Sequence, residues 1–263
     1  MLKIFGFGFS HTVAIKQACN RYQNFLSQKG VEVKIINMHV PALQPWRTKA
    51  PANADDGFML NQTLRNELQN HGADFVFSCI GGNAHNIFGL VNHPTVFDFV
   101  LAEKPDLPCN NDGYIVPYTV VKEALASVTT IELAGWLIKE TQAVVGKIDV
   151  HVESPPPIPS EQHILKNPAT FQEKIDQLGV SPRWLRYKLW RVHSQIFKEI
   201  CGQNLINFLS VPSIAVDSEG FLKETMWGQD ATHANILYGK CVLEQIVSQC
   251  IQGFRLPSAS EVI

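Results

Sequence analysis

Three stretches that lie far apart in the chain carry side chains suited to attack on an acyl carbon. Ser10 follows the apolar run LKIFGFG, Asn83 follows ADFVFSCIGG, and Asp230 and His233 stand in DATHAN. A serine hydroxyl is a weak nucleophile near neutral pH, so it needs an imidazole to accept its proton and a carboxylate to fix the imidazole tautomer. The spacing of Asp230 and His233 lets the carboxylate hold one ring nitrogen while the other faces Ser10.

Asn83 supplies a candidate donor for the oxyanion that forms during such an attack. Its amide follows Gly81 and Gly82, which let the backbone turn sharply and approach a ligand closely. Ser10 at a helix N-terminus adds its own backbone N–H and the positive end of the helix dipole. Each feature also has a structural interpretation: Ser10 and Asp230 as helix caps, and Gly-Gly-Asn as a strand-ending turn.

The elements that must position these side chains alternate along the chain. Strands are predicted in LKIFGFG, VEVKIIN, ADFVFSCIGG, VGKIDVHVES and LINFLSVP, and helices over 10–30, 57–72, 119–142, 168–178 and 182–202, with a last helix from about 231. The alternation favours a mainly parallel, five-stranded sheet wrapped by helices. Ligands bind beyond the carboxyl ends of such strands, which is where Ser10, Asn83 and the Asp230 pair are expected.

Length and composition predict one domain over 1–263, with long loop excursions near 41–56, 92–118 and 154–167. The chain has 263 residues, of which 45% are hydrophobic and 17% charged. Its formal charge of -2 gives no reason to bind nucleic acid, so a small-molecule partner is expected. The chain has no 18-residue apolar segment and no recognisable secretion signal, which predicts a cytoplasmic protein without membrane insertion. The oligomeric state is not indicated.

The six cysteines are scattered without a CxxC pair, which favours reduced, mostly buried thiols over a zinc or redox site. No metal site is expected. His85, Asn86 and His93 are candidates to line the pocket or bind the acyl or leaving group, although each also suits a structural, hydrogen-bonded role. None of the three has metal-ligand spacing.

Two further features are expected to stay outside the chemistry. The His11 side chain should point away from the rim along the first helix, in a packing role. Residues 182–193 interleave basic and aromatic side chains at helical spacing, which predicts an amphipathic helix with a solvated face. Trp184 or Arg183 would meet a sugar or an anionic leaving group only if that helix overhangs the rim.

The three blocks GFGFSHT, IGGNAHN and DATHANILYG resemble, in order and spacing over nearly the whole chain, those of SGNH (GDSL-like) hydrolases. The resemblance implies a flavodoxin-like three-layer α/β/α sandwich and ester hydrolysis through a serine acyl-enzyme, without a cofactor. It makes Ser10 the nucleophile, His233 the general base and Asp230 the residue that orients it. The oxyanion hole would then comprise Ser10, Asn83 and, as the glycine of the second block, Gly57.

The chain departs from the family pattern at two places. Phe9 precedes the serine where the family usually has Asp or another polar residue, and Ala84 follows Asn83 where Asp is usual. The favoured function is a serine esterase acting on a small ester such as an O-acetylated carbohydrate. The alternatives are an SGNH-type O-acyltransferase, a phosphate- or nucleotide-binding module that uses GFGFS as its cradle, and an inactive relative that serves as an interaction domain.

Overall fold

The computed structural model of the protein describes residues 1–49, 58–110 and 112–255. Its strands are β1 (Leu2–Gly8), β2 (Val31–Asn37), β3 (Arg47–Lys49), β4 (Phe58–Leu60), β5 (Phe75–Cys79), β6 (Phe97–Asp98), β7 (Tyr114–Ile115), β8 (Val150–Val152) and β9 (Asn207–Leu209). Five of them form a parallel central sheet in the order β2-β1-β5-β8-β9. The predicted five-stranded, mainly parallel sheet is confirmed.

Helices cover both faces of this sheet. They are α1 (Thr12–Arg21), α2 (Gln23–Gln28), α3 (Gln62–Gln69), α4 (Ala84–Gly89), α5 (Tyr118–Ala126), α6 (Thr129–Val145), α7 (Glu161–Lys166), α8 (Gln172–Leu178), α9 (Arg183–Gln203) and α10 (Ile236–Arg255). Side chains alternate along β1: Phe5 and Phe7 enter the core shared with α3, α6 and α9, whereas Ile4 enters the core shared with α1 and α10. The chain is therefore an α/β fold of three layers.

The first helical stretch is shorter than the pattern over 10–30 predicts. The chain leaves helical geometry at Tyr22, with φ -108° and ψ 36°, and α2 begins at the next residue. The preceding helix, α1, packs closely on α10. A Cβ at Gly239 would lie 2.1 Å from the carbonyl oxygen of Ala14, so the glycine permits this approach. The close packing holds the start of α1 beside the loop that precedes α10.

Local caps move two other helix starts away from the predicted positions. The last helix begins at Ile236 rather than near Ala231, because Asn235 Oδ1 accepts hydrogen bonds from the N–H groups of Leu237 (2.8 Å) and Tyr238 (3.4 Å). Similarly, α3 begins after Asn61, so the residues before it are free to form β4, which pairs with β3. The helix expected over 119–142 divides into α5 and α6.

The prediction of a solvated face on residues 182–193 is wrong. Arg186 is 2% exposed, and its guanidinium donates to the carbonyl oxygens of Ser181, Ile158 and Pro159. Lys188 is 1% exposed; its Nζ lies 2.5 Å from a carboxylate oxygen of Asp98 in β6 and donates to carbonyls of the same excursion. The long loops fold over α9, and their carbonyl and carboxylate oxygens bind its cationic side chains. Helical spacing in the sequence does not predict this burial.

The three predicted loop excursions contain short elements of their own. The first contains a 3-10 turn at Pro41–Leu43 and β3, and its residues 50–56 lie outside the described part of the chain. The second contains β6 and β7, which pair in parallel, and the third ends in α7. Within the described ranges, no helix has the length and apolar character required to cross a membrane.

Candidate active site

Ser10 stands at the carboxyl end of β1, one residue beyond the point where the sheet ladder stops. The N–H of Phe9 donates to the carbonyl of Cys79 at 3.0 Å, and the carbonyl of Ser10 accepts from the N–H of Val13 at 3.0 Å. The Ser10 hydroxyl makes no hydrogen bond within the described residues, and His11, which precedes α1, makes no side-chain cap either. The hydroxyl is half-buried and not engaged as a helix cap, so it is available for chemistry.

Asp230 and His233 form a hydrogen-bonded pair in the loop before α10. Oδ2 of Asp230 lies 2.8 Å from Nδ1 of His233, while Oδ1 accepts from the N–H groups of Thr232 and His233, each at 2.8 Å. The carboxylate therefore builds the turn with one oxygen and orients the imidazole with the other. Burial alone would raise the pKa of Asp230, but the hydrogen bonds from His233 and Thr232 outweigh it and hold that pKa below its usual value.

The outer ring nitrogen of His233 is the free end of this pair. His233 Nε2 is buried and has no hydrogen-bond partner within the described residues. His233 and Ser10 line the same cavity, yet no hydrogen bond joins them. Such nucleophile–base bonds are often long before substrate binds, so the missing bond is compatible with the predicted pairing of Ser10 and His233.

Asn83 lies in the loop after β5. It is hydrogen-bonded both to His11, which directly follows Ser10, and to Thr232, which lies in the loop that carries His233. Its Oδ1 is within hydrogen-bond distance of His11 Nε2 (3.1 Å) and accepts from Asn86 Nδ2 (2.9 Å). Its Nδ2 donates to Thr232 Oγ1 at 3.2 Å. One of the two amide hydrogens of Asn83 is left for a ligand.

The expectation that His11 points away from the rim is wrong, because its ring turns inward to Asn83. Burial, together with the nearby His233, lowers the pKa of His11 to about 3, so the ring is neutral and donates from Nε2 in one tautomer. The two imidazoles lie 5.1 Å apart between ring centroids. Gly82 carries the missed signal: a Cβ there would lie 2.5 Å from the His11 ring, so the glycine leaves room for it.

Two cavities meet at Ser10. The first has a volume of about 620 Å³, and its lining includes Ser10, Asp230, His233, Gln17, Gln229, Pro155 and Trp227. The second has a volume of about 220 Å³, and its lining includes Ser10, Gly82, Asn83, Phe9, Trp46 and Leu133. The predicted nucleophile is thus shared, whereas the predicted base borders only the first cavity and the predicted oxyanion donor only the second.

The structure does not bring the other predicted site residues into these cavities as substrate contacts. His85 is buried with its ring 5.0 Å from that of His193 and lines neither cavity, and Asn86 is buried where it holds Asn83. His93 is exposed and borders a separate cavity of about 630 Å³. Gly57, the predicted second-block glycine, lies outside the described residues.

The basic and aromatic residues at the start of α9 also lie away from Ser10. Arg183 makes two hydrogen bonds to Glu219, and Trp184 packs on Phe221, with 5.1 Å between ring centroids. Neither residue lines the cavities that Ser10 borders. The hypothesis that they meet a sugar or leaving group requires a position they do not occupy.

Cysteine and metal chemistry have no comparable arrangement in the described residues. The six cysteines are free, and burial raises the pKa of Cys19, Cys79 and Cys201 to about 12, which keeps these thiols protonated. Within residues 1–49, 58–110 and 112–255, no group of three or more His, Cys, Asp or Glu is placed to hold a metal ion.

No protein-family model matches the chain, and no curated protein matches it in sequence. Among solved structures, it is similar to a GDSL-like lipase from Bacteroides thetaiotaomicron, at 12% identity over 96% of this chain and 88% of the other, with a TM-score of 0.43. The periplasmic domain of a lipopolysaccharide acetyltransferase from Salmonella ser. Paratyphi A matches at 12% identity over 95% and 83%, TM-score 0.47. An acetyl xylan esterase variant from Geobacillus stearothermophilus matches at 13% over 98% and 97%, TM-score 0.41.

Proposed function

We propose that the protein is a serine hydrolase of carboxylic esters, with Ser10 as nucleophile, His233 as general base and Asp230 as the residue that orients the base. One observation carries the proposal. The imidazole of His233 is held by Asp230 through Nδ1 at 2.8 Å, its Nε2 is buried without a partner among the described residues, and the free hydroxyl of Ser10 borders the same cavity.

The first half of the reaction forms an acyl-enzyme. Ser10 Oγ attacks the ester carbonyl as His233 Nε2 accepts the hydroxyl proton, and a tetrahedral oxyanion results. The imidazolium then gives that proton to the alkoxide as the bond between the carbonyl carbon and the alcohol oxygen breaks, so a neutral alcohol leaves. Asp230 stays ionised throughout, since its lowered pKa keeps it charged, and it stabilises the imidazolium.

The oxyanion needs donors that are already in place. Asn83 Nδ2 has one hydrogen free, and the backbone N–H groups of Ser10 and Gly82 donate to no other described residue. Each such donor is worth roughly 100- to 1,000-fold in rate. These groups border one cavity, which supports a common oxyanion position for them.

In the second half, His233 takes a proton from water as the water oxygen attacks the acyl carbon. The second tetrahedral intermediate collapses, the proton returns to Ser10 Oγ, and a carboxylic acid is released. An alcohol in the 620 Å³ cavity beside His233 could replace water, which would make the reaction an O-acyl transfer. That cavity has room for a bound acceptor, so transfer is the second candidate function.

The proposal is tested by release of p-nitrophenol from a p-nitrophenyl ester. We expect a burst followed by steady turnover, and a kcat lower by about 10⁴-fold or more in Ser10→Ala, His233→Gln and Asp230→Asn. Asp230→Asn keeps an oxygen that can accept the backbone hydrogen bonds of the turn. A loss of activity in this variant therefore reports the orientation of His233. The exposed residues Ser218 and Asp106 give matched controls, Ser218→Ala and Asp106→Asn, which should retain activity.

Addition of short alcohols separates the two candidate functions. A hydrolase gives free acid as the main product, whereas an acyltransferase gives mostly the new ester. Turnover that survives Ser10→Ala would contradict the proposal, as would saturable binding of a nucleotide to a protein that hydrolyses no ester.

A further inference from the structure

The smaller of the two cavities at Ser10 is built mainly from apolar and aromatic side chains. The rings of Phe9 and Trp46 lie 4.6 Å apart, and His39 packs on both, at 5.3 and 5.9 Å between centroids. Burial lowers the pKa of His39, as does its proximity to His233, so this imidazole brings no charge at neutral pH. Ile87 and Leu133 also line the cavity, as do Phe171, Ala84 and one further polar side chain, Thr130.

The two cavities differ in the groups that they place near Ser10. His233 and Asp230 border the larger cavity, whereas Asn83 and the backbone of Gly82 border the smaller one. The proton on His233 must go to the oxygen of the departing alcohol, so that oxygen has to lie on the His233 side. The acyl part stays bonded to Ser10 with its oxyanion near Asn83, and its tail has to extend to the opposite side.

We propose that the cavity formed by Phe9, His39, Trp46, Ile87 and Leu133 binds the acyl tail of the ester, and that the acyl group is an apolar one of about six to eight carbons or an aryl ring. The larger, more polar cavity then receives the alcohol. This inference rests on the function proposed above, because it takes Ser10 as the point where the acyl group is attached.

The volume of the cavity indicates the size of the acyl group that it can hold. An apolar cavity of about 150 Å³ holds one benzene ring, and the cavity beside Ser10 measures about 220 Å³. An acetyl group would leave most of this volume empty, whereas a hexanoyl, octanoyl or benzoyl group would fill it. Each methylene moved from water into such a site adds roughly fourfold in binding.

The position of Phe9 supports the same assignment. Its backbone N–H continues the sheet ladder by donating to Cys79, so the residue is fixed directly before Ser10. Its ring packs against Trp46, whose indole N–H donates to the carbonyl of Met38 at 2.9 Å. The aromatic wall is therefore held in place from both sides, and it borders the same cavity as Ser10.

The test compares kcat/KM for p-nitrophenyl acetate, butyrate, hexanoate, octanoate and benzoate. We expect hexanoate or octanoate to exceed acetate by about 30-fold or more, with no further gain beyond about eight carbons. Leu133→Phe and Ile87→Trp narrow the cavity and should lower the octanoate-to-acetate ratio by at least about tenfold. Val120→Trp, at a half-exposed position on α5 outside this cavity, is the matched control and should leave the ratio unchanged.

A binding measurement separates this inference from the proposed function. Sodium octanoate should quench tryptophan fluorescence saturably in Ser10→Ala, and the quenching should weaken in Trp46→Phe and in the double variant Ser10→Ala, Leu133→Phe. Octanoate binding without hydrolysis of any ester would overturn the proposed function, and with it the role of the cavity as an acyl site of an esterase, and would leave only a cavity that binds an apolar carboxylate. Two results would overturn the cavity assignment alone. One is Ser10-dependent hydrolysis with the highest kcat/KM for acetate, and the other is a Leu133→Phe variant that changes kcat/KM by the same factor for every ester.

Discussion

At the scale of single residues, the arrangement around Asn83 depends on neutral hydrogen-bonding groups packed close together. Asn83 Oδ1 accepts hydrogen bonds from the side chains of His11 and Asn86, so the amide is fixed with its nitrogen toward Thr232. A charged His11 would face the imidazolium of His233 at 5.1 Å between ring centroids, and burial prevents this by lowering the pKa of His11 to about 3. We therefore expect His11 to act as a positioning residue, and not as an acid or base.

Replacement of His11 should affect the chemical step more than substrate binding. We expect His11→Phe to lower kcat by about tenfold with KM within about twofold, because Asn83 loses one of the donors that fix its amide. His11→Gln retains a donor and should recover part of the loss. His93→Ala, which alters an exposed histidine outside both Ser10 cavities, serves as the control in steady-state assays. Equal losses in the Phe and Gln variants would contradict this role.

The sequence allows the residues of the site to be predicted only so far. Ser10, Asn83, Asp230 and His233 follow strand ends or precede a helix, and parallel topology brings such positions to one edge of the sheet. The direction of His11 could not be predicted, because the chain turns between β1 and α1 and the ring uses space left by a glycine on another strand's loop.

At the scale of elements, α9 is the part that holds the long loops against the sheet. Arg186 donates to the carbonyls of Ile158 and Pro159, directly after the proline segment 155–157, and Trp190 Nε1 donates to the carbonyl of Ser154 at 3.0 Å. Ser154 Oγ in turn donates to the carbonyl of Gly82 at 2.8 Å. Ser154, directly before the proline segment, thus links α9 by hydrogen bonds to the loop that carries Asn83.

Loss of the Arg186 guanidinium should destabilise the whole fold. Arg186→Met keeps the apolar length of the side chain but leaves three carbonyls, two of them buried, without their charged donor, so the free energy of unfolding should fall by about 3 kcal/mol or more. Urea unfolding followed by circular dichroism measures the change. Arg65→Met, at an exposed position on α3, should shift the midpoint little, and an equal effect at both positions would contradict the proposed role of α9.

Strands are the most predictable elements, because an apolar run such as LKIFGFG is buried on both faces only in the central sheet. Helix boundaries were less predictable because local side chains decide them, as Asn235 does for α10. The burial of α9 was missed for a different reason. Its buried cations donate hydrogen bonds to loop carbonyls, and Lys188 also pairs with the carboxylate of Asp98, and these partners are distant in sequence.

At the scale of the whole molecule, four buried imidazoles lie in and behind the site. They are His11, His85, His151 and His193, each 6% exposed or less. Burial is the main cause that lowers their pKa values, to about 3 for His151 and about 4 for His193, and well below the usual value for His85. The rings are therefore neutral in the folded protein, and their hydrogen bonds and stacking depend on that neutral form.

This arrangement predicts loss of stability in mild acid. In the unfolded chain these histidines bind protons below about pH 6.5, whereas the folded protein excludes them until its lower pKa values are reached, so stability falls as pH drops from about 6.5 toward 4. Each imidazole contributes up to about 1.4 kcal/mol per pH unit. Urea midpoints at pH 8, 7, 6 and 5 measure the fall.

A matched variant identifies the buried groups that carry this pH dependence. His193→Gln keeps a donor for the carbonyl of Gly81 and should reduce the slope of stability against pH by about a quarter. Stability that does not change between pH 7 and pH 5 would contradict the assignment of neutral buried imidazoles.

In the proposed mechanism the acyl group is bonded to Ser10. The most direct measurement is peptide mapping by mass spectrometry after reaction of the protein with a fluorophosphonate, in parallel with the Ser10→Ala and Ser218→Ala variants. We expect one adduct, on Ser10, absent in Ser10→Ala and retained in Ser218→Ala. An adduct on another residue, or ester hydrolysis by a protein that forms no adduct, would contradict it.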